Sequence, residues 1–277
     1  MSARPDGRAA TVPGALDSLG QRFVATRSPF SWLLEREIVR YMKIWYYSLL
    51  GPISAALLLL LVFGLALDHK VTVAHGVPYD RFVMPGLMGQ AVLTSCYFNG
   101  CTSLFEARRD RYMNDVLASP LRWWEINAAV VLAGVSRGLL TAAGVAAVAI
   151  PVTGASVHDP AVLVLGLVGA LIVAAQFGVI AGIHVRTMDH VALIQNLLVQ
   201  PITFLGGSFY AVSSLPHAWR VVTELNPMFY VVQALRIGFL GSGDVKAWVA
   251  LAVLWGIALV LTAFSLSLFH SGRRLKD

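Results

Sequence analysis

Long apolar blocks alternate with short polar connections along most of this chain. Six blocks stand out, at residues 47–67, 82–105, 124–151, 160–184, 191–211 and 247–269. A helix needs about 20 apolar residues to cross a hydrocarbon core about 30 Å thick, and each block is near or above that length. The pattern therefore predicts an all-α integral membrane protein with six transmembrane helices.

Residues 200–236 depart from this pattern. The pairs Gly206-Gly207 and Asn226-Pro227 interrupt a stretch that is otherwise too apolar for an ordinary soluble loop. Backbone that leaves helical hydrogen bonding at membrane depth persists only where protein or a water-filled cavity supplies partners. We therefore expect a span that ends early and is followed by short segments that turn back toward the bilayer, as in a channel or transporter.

Residues 28–46 precede the first block and are predicted to form an amphipathic helix. Ser28 or Ser31 can cap this helix, and Pro29 suits its first turn. One side of the helix is apolar and holds Trp32, Ile38, Tyr41, Met42 and Trp45. The other side is charged and holds Glu35, Arg36, Arg40 and Lys43. Such a helix lies in the membrane interface. It serves as an anchor, and its polar face is also suited to receive a cytoplasmic partner.

Residues 105–119 form the connection between the second and third blocks. They carry both charge signs and apolar residues and end before Pro120, so we predict a short amphipathic helix. A solvated connector is the simpler interpretation, but a connector needs only a few turn residues. A charged helix in this place favours docking on another protein and transmission of its motion.

Composition agrees with a membrane protein. Of 277 residues, 57% are hydrophobic and 13% charged, whereas a soluble domain carries roughly a quarter charged residues. Lys and Arg concentrate before the first block, in the second connection and at the end of the chain, which places both termini in the cytoplasm. Residues 1–27 lack an apolar core segment, so we expect a cytoplasmic tail and no cleaved signal peptide. The net charge of +6 follows from this asymmetry and gives no reason to expect nucleic acid.

Candidate chemistry is sparse. Cys96 and Cys101 lie five positions apart, on different helical faces, and are expected to be packing residues. The seven histidines never reach a metal-ligand spacing, and the sequence has no Walker lysine loop, catalytic carboxylate pair or nucleophile elbow. We therefore expect no catalytic residue, metal site or bound cofactor on this chain.

Arg137 lies near the middle of the third block, where a charge is costly. It is either a binding charge for an anionic substrate or a partner for a helix end. No carboxylate lies nearby in the sequence, and we favour the helix-end interpretation.

Three stretches carry a resemblance to a known family: EREIVRYMKIW with the following Gly51-Pro52, the run from FVMPGLMGQAVLTSCYFN to FEARRDRYMNDVLASPL, and PITFLGGSFYAVSSLP with LNPMFYVVQALRIGFLG. In them the chain resembles the ABC-2 family of ABC-transporter permeases, and most of all its YadH-like, nodulation-factor and daunorubicin exporter branch. The resemblance covers nearly the whole chain from about Ser28. The Gly-Gly, Ser-Leu-Pro and Asn-Pro order in the third stretch is its most specific part.

The resemblance implies a type V ABC exporter architecture in the inner membrane. Two copies of a six-span permease, each with its transmembrane domain at residues 47–277, would work with two separate ATPase subunits that hold ATP and Mg. The substrate would be amphipathic, such as a drug, a lipid or a lipid-linked glycan, and would leave the cytoplasm or the inner leaflet.

The resemblance also implies roles for particular residues. Residues 105–119 would be the coupling helix on the ATPase, through Glu106, Arg108, Arg109, Asp110, Tyr112, Asn114 and Asp115. The interface helix would flank it with Trp32, Glu35, Arg36, Arg40 and Lys43. The second and fifth spans would line the substrate path with Ser95, Phe98, Asn99, Asn196, Gln200 and Phe204. A re-entrant segment at residues 212–241 would close the external gate, which includes Gly206, Gly207, Phe209, Tyr210, Leu215, Pro216, Asn226 and Pro227.

Two other classes remain open on the sequence. A channel or secondary transporter that works without an ATPase would predict an intramembrane carboxylate for ion coupling, whereas Glu106, Asp115, Glu224 and Asp244 all fall in predicted loops. The second class is a membrane scaffold that only anchors a partner and transports nothing. A neighbouring gene for a Walker-motif ATPase would separate the exporter from both.

Overall fold

The computed structural model describes residues 28–67 and 77–271, and within these ranges the chain forms helices joined by turns, with no β-strand. The tail predicted over residues 1–27 lies outside the described residues. In chain order the helices are α1 Pro29–Met42, α2 Trp45–Ser48, α3 Leu50–Leu67, α4 Tyr79–Arg109, α5 Met113–Ala118, α6 Trp123–Thr153, α7 Pro160–His184, α8 Met188–Ile194, a π-helix Gln195–Val199, α9 Gln200–Leu205, a 3-10 turn Val212–Ser214, α10 His217–Glu224, α11 Pro227–Leu240 and α12 Ala247–Ser271.

The all-helical membrane architecture predicted from the sequence is confirmed. In the described ranges, four helical segments are long and apolar enough to cross a membrane: Trp45–Gly64, α6, α7 and α12. The second and fifth predicted blocks coincide with α4 and with the run from α8 to α9. The first of these carries many polar side chains along its middle, and the second is a broken helix of three short pieces.

Helix α4 is the centre of the subunit. It packs against α3, α6, α7 and α11, and most of its residues are buried. Its polar side chains find partners on neighbouring helices: the Ser95 and Thr141 hydroxyls lie 2.8 Å apart, and Tyr97 donates to the Val191 carbonyl at 3.0 Å. Because α4 is enclosed by protein, these polar groups meet hydrogen-bond partners rather than lipid.

Helices α4 and α7 approach closely because both have glycines at their contact. A Cβ on Gly178 would lie 2.6 Å from the Tyr97 carbonyl oxygen, and one on Gly100 would lie 2.9 Å from the Val179 backbone nitrogen. Small residues of this kind let helix backbones pack directly in a membrane protein. The two free cysteines, Cys96 and Cys101, are buried at the same contact, as expected of packing residues.

The helix expected over residues 105–119 is instead two pieces. Helix α4 continues to Arg109, the chain then turns at Arg111 with φ of 60°, and α5 holds residues 113–118 alone. A left-handed backbone at a non-glycine residue ends a helix, so the two pieces differ in direction. The single-helix prediction is wrong in this respect.

The N-terminal helix is also shorter than its predicted range of 28–46. Ser28 caps α1 by accepting from the Ser31 N–H at 3.3 Å, and Pro29 occupies the first turn, as expected. The helix ends at Met42, and Trp45 begins the separate helix α2.

The fifth block ends early, as the sequence suggested. Its helical run stops at Leu205, six residues before the predicted end at 211, and Gly207 has a φ of 78°. Two short helices, α10 and α11, follow within the predicted re-entrant segment. Asn226 caps α11 by accepting from the Met228 N–H at 2.9 Å.

Candidate functional site

A buried carboxylate joins the N-terminal helix to the end of α4. Glu37 is 1% exposed and accepts from the Ser103 hydroxyl at 2.7 Å, from Arg40 Nε at 3.2 Å and from Arg36 Nη2 at 3.0 Å. A carboxylate offers about four acceptor positions, so these three donors satisfy most of its capacity. We call the group of Glu37, Arg40, Ser103 and Glu106 the Glu37 junction.

Arg40 extends the junction along α4. Its Nη1 donates to Glu106 Oε2 at 3.2 Å and to the Thr102 hydroxyl at 3.1 Å, and its Nη2 donates to the Asn99 carbonyl at 3.1 Å and side-chain oxygen at 3.2 Å. The guanidinium is planar, permanently charged and has five donors in a fixed fork, which suits several acceptors at once. Arg40 therefore fixes α1 against the last three turns of α4.

Functional roles were predicted for Arg40 and Glu106 but not for Glu37 and Ser103. Charged residues on an interface helix are usually exposed, so Glu37 was not expected to be buried. A signal does exist, because Glu37 lies four residues from both Leu33 and Tyr41, which are buried on the same side of α1.

An exposed polar face lies beside the junction. Arg109, Asp110, Asn114 and Asp115 are all exposed, whereas Met113 and Val116 on the inner side of α5 are buried. The hydrogen bond from Arg109 holds the pKa of the Asp110 carboxyl below its usual value. We call this surface the α5 face.

The α5 face adjoins α1. Arg36 lies over the Tyr112 ring, 4.5 Å from its centroid, which joins the turn after α4 to the N-terminal helix. A groove of about 390 Å³ runs between α1 and α5, lined by Trp32, Leu33 and Asp115 among others. The interface-helix residues Glu35 and Lys43 are exposed, as is Trp32.

Arg108 does not belong to the exposed face. Its guanidinium donates to the backbone carbonyls of Gly182, Ile183 and Val185, where α7 ends. A cation at the C-terminus of a helix satisfies free carbonyls and complements the helix dipole. Arg108 thus caps α7, and a charge reversal there would disturb the fold as well as any docking.

A second charged cluster lies at the opposite end of α4. Arg236 of α11 is 2% exposed, stands 3.8 Å above the Phe82 ring, and donates to the Gly207 carbonyl at 2.8 Å. Its other Nη lies 3.7 Å from Asp244 Oδ2. The positive φ of Gly207 turns its carbonyl toward the guanidinium, so the helix break is fixed by a buried charge.

Asp244 joins three segments at this end. It accepts from Gln233 Nε2 at 2.8 Å and from the backbone N–H groups of Val212 and Ser213 at 3.3 Å each. Burial alone would raise the pKa of the Asp244 carboxyl, but these hydrogen bonds and Arg236 outweigh it and hold the pKa below its usual value. We call Arg236, Gln233, Asp244 and the 3-10 turn the Asp244 cluster.

The predicted gate residues form the turn that this cluster holds. The Phe209 and Phe204 rings stack with their centroids 5.3 Å apart. The Phe209 carbonyl accepts from the Tyr79 hydroxyl at 3.0 Å. The Tyr210 hydroxyl donates to the Leu205 carbonyl at 2.9 Å. Asn226 also donates to the Ile202 carbonyl at 2.7 Å. The remaining members are the buried Gly206 and Gly207, Leu215 and Pro216 before α10, and Pro227 in the first turn of α11.

The predicted path residues divide into two groups. Ser95 and Asn99 are fully buried within the subunit, where Thr141 and Arg40 are their partners. Asn196 and Phe204 are exposed, and Phe98 and Gln200 are half-buried. Gln200 accepts from Gln90 Nε2 at 3.2 Å, beside the π-helix.

Arg137 has the helix-end role favoured by the sequence. It is 5% exposed and donates to the Ser48 carbonyl at 3.0 Å, at the end of α2. Its guanidinium also lies 5.7 Å from the centroid of the Phe98 ring.

Comparison with known proteins places these features in a family context. Residues 28–240 match the family described as ABC-2 type transporter, a range from the start of α1 to the end of α11. The chain is 32% identical over 242 residues to the inner membrane transport permease YadH of Escherichia coli strain K12, covering 87% of this chain and 94% of that protein. Nodulation protein J of Rhizobium meliloti strain 1021 is 25% identical over 259 residues, which cover 89% and 94% of the two chains.

Replacement of Glu37 by Gln is expected to loosen the Glu37 junction. The change keeps the shape of the side chain but removes the charge that holds Arg36 and Arg40, and charged hydrogen bonds contribute about 1.5–3 kcal/mol each. The apparent melting temperature of the purified protein should fall by several degrees. Glu35→Gln, an exposed position on the same helix, is the matched control, and equal melting temperatures for the two variants would contradict this role of Glu37.

The contribution of Asp244 should depend on pH. Its pKa is lower in the folded protein than its ordinary value of 3.8, so the carboxylate stabilises the fold above that pH and this contribution disappears as the pH falls through the folded value. Asp244→Asn should therefore melt below the wild type at neutral pH, and the gap should close at acid pH. A gap that persists unchanged at acid pH, or the same behaviour in the exposed control Asp189→Asn, would argue against the cluster.

Proposed function

The chain belongs to the ABC-2 type transporter family of membrane transport permeases, and on that premise we propose that it is the transmembrane subunit of an ATP-driven exporter. It would move an amphipathic substrate, such as a drug, a lipid or a lipid-linked glycan, out of the cytoplasm or the inner leaflet. ATP and Mg would bind to a separate ATPase subunit. Two copies of this chain and two ATPase subunits would form the transporter.

The proposed topology has six spans with both termini in the cytoplasm. Helix α4 and the run from α8 to α9 would cross the membrane beside the four apolar segments. Enclosure of α4 by neighbouring helices supports this, since its polar middle meets protein rather than lipid. The Glu37 junction and the α5 face would then lie on the cytoplasmic side, and the Asp244 cluster outside.

The observation that carries the proposal is the Glu37 junction. It fixes the N-terminal helix to the end of α4 next to an exposed polar face, so a protein bound there would contact a rigid unit rather than a loop. We infer that the ATPase docks on the α5 face and the adjoining groove, through Arg109, Asp110, Tyr112, Asn114 and Asp115. The interface-helix residues Trp32, Glu35, Arg36 and Lys43 would flank the docked subunit.

The central position of α4 suggests how motion of the ATPase would reach the membrane helices. When ATP draws two ATPase subunits together, force on the α5 face would pass through the junction into α4. Helices packed against α4 would follow, because close-packed interfaces switch between discrete arrangements rather than deform continuously. Hydrolysis would reset the arrangement.

The Asp244 cluster and the turn that it holds would form the external gate. The path below it would run along the exposed and half-buried residues Phe98, Asn196, Gln200 and Phe204, and would face the second copy. Ser95 and Asn99 are left out of this proposed path, because the subunit encloses both side chains.

Charge reversal at Asp115 tests the docking proposal. Asp115 is exposed on the α5 face, so Asp115→Lys should leave the fold intact but weaken ATPase binding. We expect at least about a fivefold loss of ATPase subunit recovered with the purified permease, which corresponds to about 1 kcal/mol. Glu224→Lys, an exposed acidic residue near the Asp244 cluster, is the matched control.

The partner for this test is a Walker-motif ATPase, sought first among the genes next to the permease gene. Recovery that is unchanged in Asp115→Lys, with wild-type melting temperature, would contradict docking on the α5 face. If no such ATPase is recovered with the wild type either, the exporter proposal itself fails, and a channel, secondary transporter or scaffold takes its place.

A further inference from the structure

An apolar cavity of about 270 Å³ lies inside the subunit, away from both charged clusters. Helices α4, α7, α11 and α12 surround it together with the π-helix and α9. Every described residue that lines it is apolar. Its floor includes Val92, Val173 and Met228, which are all buried.

Water does not fill such a space. A buried water needs two to four polar partners, and apolar cavities of about 150 Å³ stay dry and accept apolar ligands instead. An empty cavity of this volume is costly, because the side chains that line it lose dispersion contacts. The chemistry of the cavity therefore favours an apolar occupant over water.

The cavity is not fully enclosed, because part of its lining is half-buried rather than buried. This part includes Ile202 of α9 and Ile257 and Leu261 of α12. Elsewhere on α12, Leu259 and Val260 are 69% and 67% exposed. Helix α12 is long and apolar enough to span a bilayer, so its exposed apolar face is suited to contact with lipid.

We propose that one acyl chain of a membrane lipid enters between α9 and α12 and occupies this cavity. The inference requires only that these helices lie in the bilayer, and it is independent of the ATPase. Lipid tails are as apolar as the lining, so transfer from the bilayer brings no hydrophobic gain. Occupancy follows from dispersion contacts and from the high concentration of chains, and the bound lipid exchanges with the bilayer.

An acyl chain in the cavity would support the first turn of α11. Met228 lies in the first turn of α11 and lines the cavity. On its other side it contacts the turn at Gly206, where a Cβ would lie 2.9 Å from the Met228 Cβ. The acyl chain would thus lie on one side of Met228, and the turn that the Asp244 cluster holds lies on its other side.

Photochemical labelling of the full chain in nanodiscs tests this inference. The probe is phosphatidylethanolamine with a diazirine in the middle of one acyl chain, and labelled peptides are identified by mass spectrometry. We expect labels on α4 near Val92, on α7 near Val173 and on α11 near Met228. Val173→Phe fills the cavity and should lose most of these labels, whereas Val164→Phe, at an exposed site on the same helix, should keep them.

Three results would overturn the proposal. The first is wild-type labelling confined to exposed positions such as Leu259 and Val260. The second is undiminished labelling of the cavity residues in Val173→Phe. The third is protection of the cavity residues from the probe by a second copy of the chain that cross-links to Met228. If Val173→Phe fails to elute as the wild type does on size exclusion, Ala170→Leu provides a smaller filling of the same cavity. Recovery of the ATPase plays no part in this experiment, so its outcome is separate from that of the exporter proposal.

Discussion

A guanidinium between two carboxylates organises one end of this subunit. Arg40 contacts Glu37 of its own helix and Glu106 of α4, and Glu37 is almost completely buried. Burial of such a pair is costly, and the cost is offset only when most donors and acceptors find partners. Here Ser103, Thr102 and the Asn99 carbonyl complete the set, so α1 and α4 have one defined relative position.

Helix α4 connects this junction to the second charged cluster. Its 31 residues correspond to a length of about 46 Å at 1.5 Å per residue. At one end Asn99, Thr102, Ser103 and Glu106 meet α1, and at the other Tyr79 and Phe82 meet the turn at Phe209 and the Arg236 guanidinium. The two ends therefore share one enclosed helix, which is the physical basis for the proposed coupling between them.

The sequence predicted the features that local patterns determine. Apolar length located α6, α7 and α12, and the capping role of Ser28 followed from residue type and position. Features that depend on distant contacts were missed. The burial of Glu37 and the Arg236–Asp244 pair arise from partners in other segments, and the enclosure of Ser95 and Asn99 by other helices left no signal in the local sequence.

Hydrogen exchange at the external turn would show whether the Glu37 junction transmits ATPase motion through α4. The complex with the ATPase is compared without nucleotide and with the nucleotide trapped by vanadate, for the wild type and for Arg40→Gln. We expect trapping to change amide exchange in residues 206–216 of the wild type, and we expect Arg40→Gln to abolish this change while the ATPase stays bound. An equal change in both proteins, or none in the wild type, would contradict this role of the Glu37 junction.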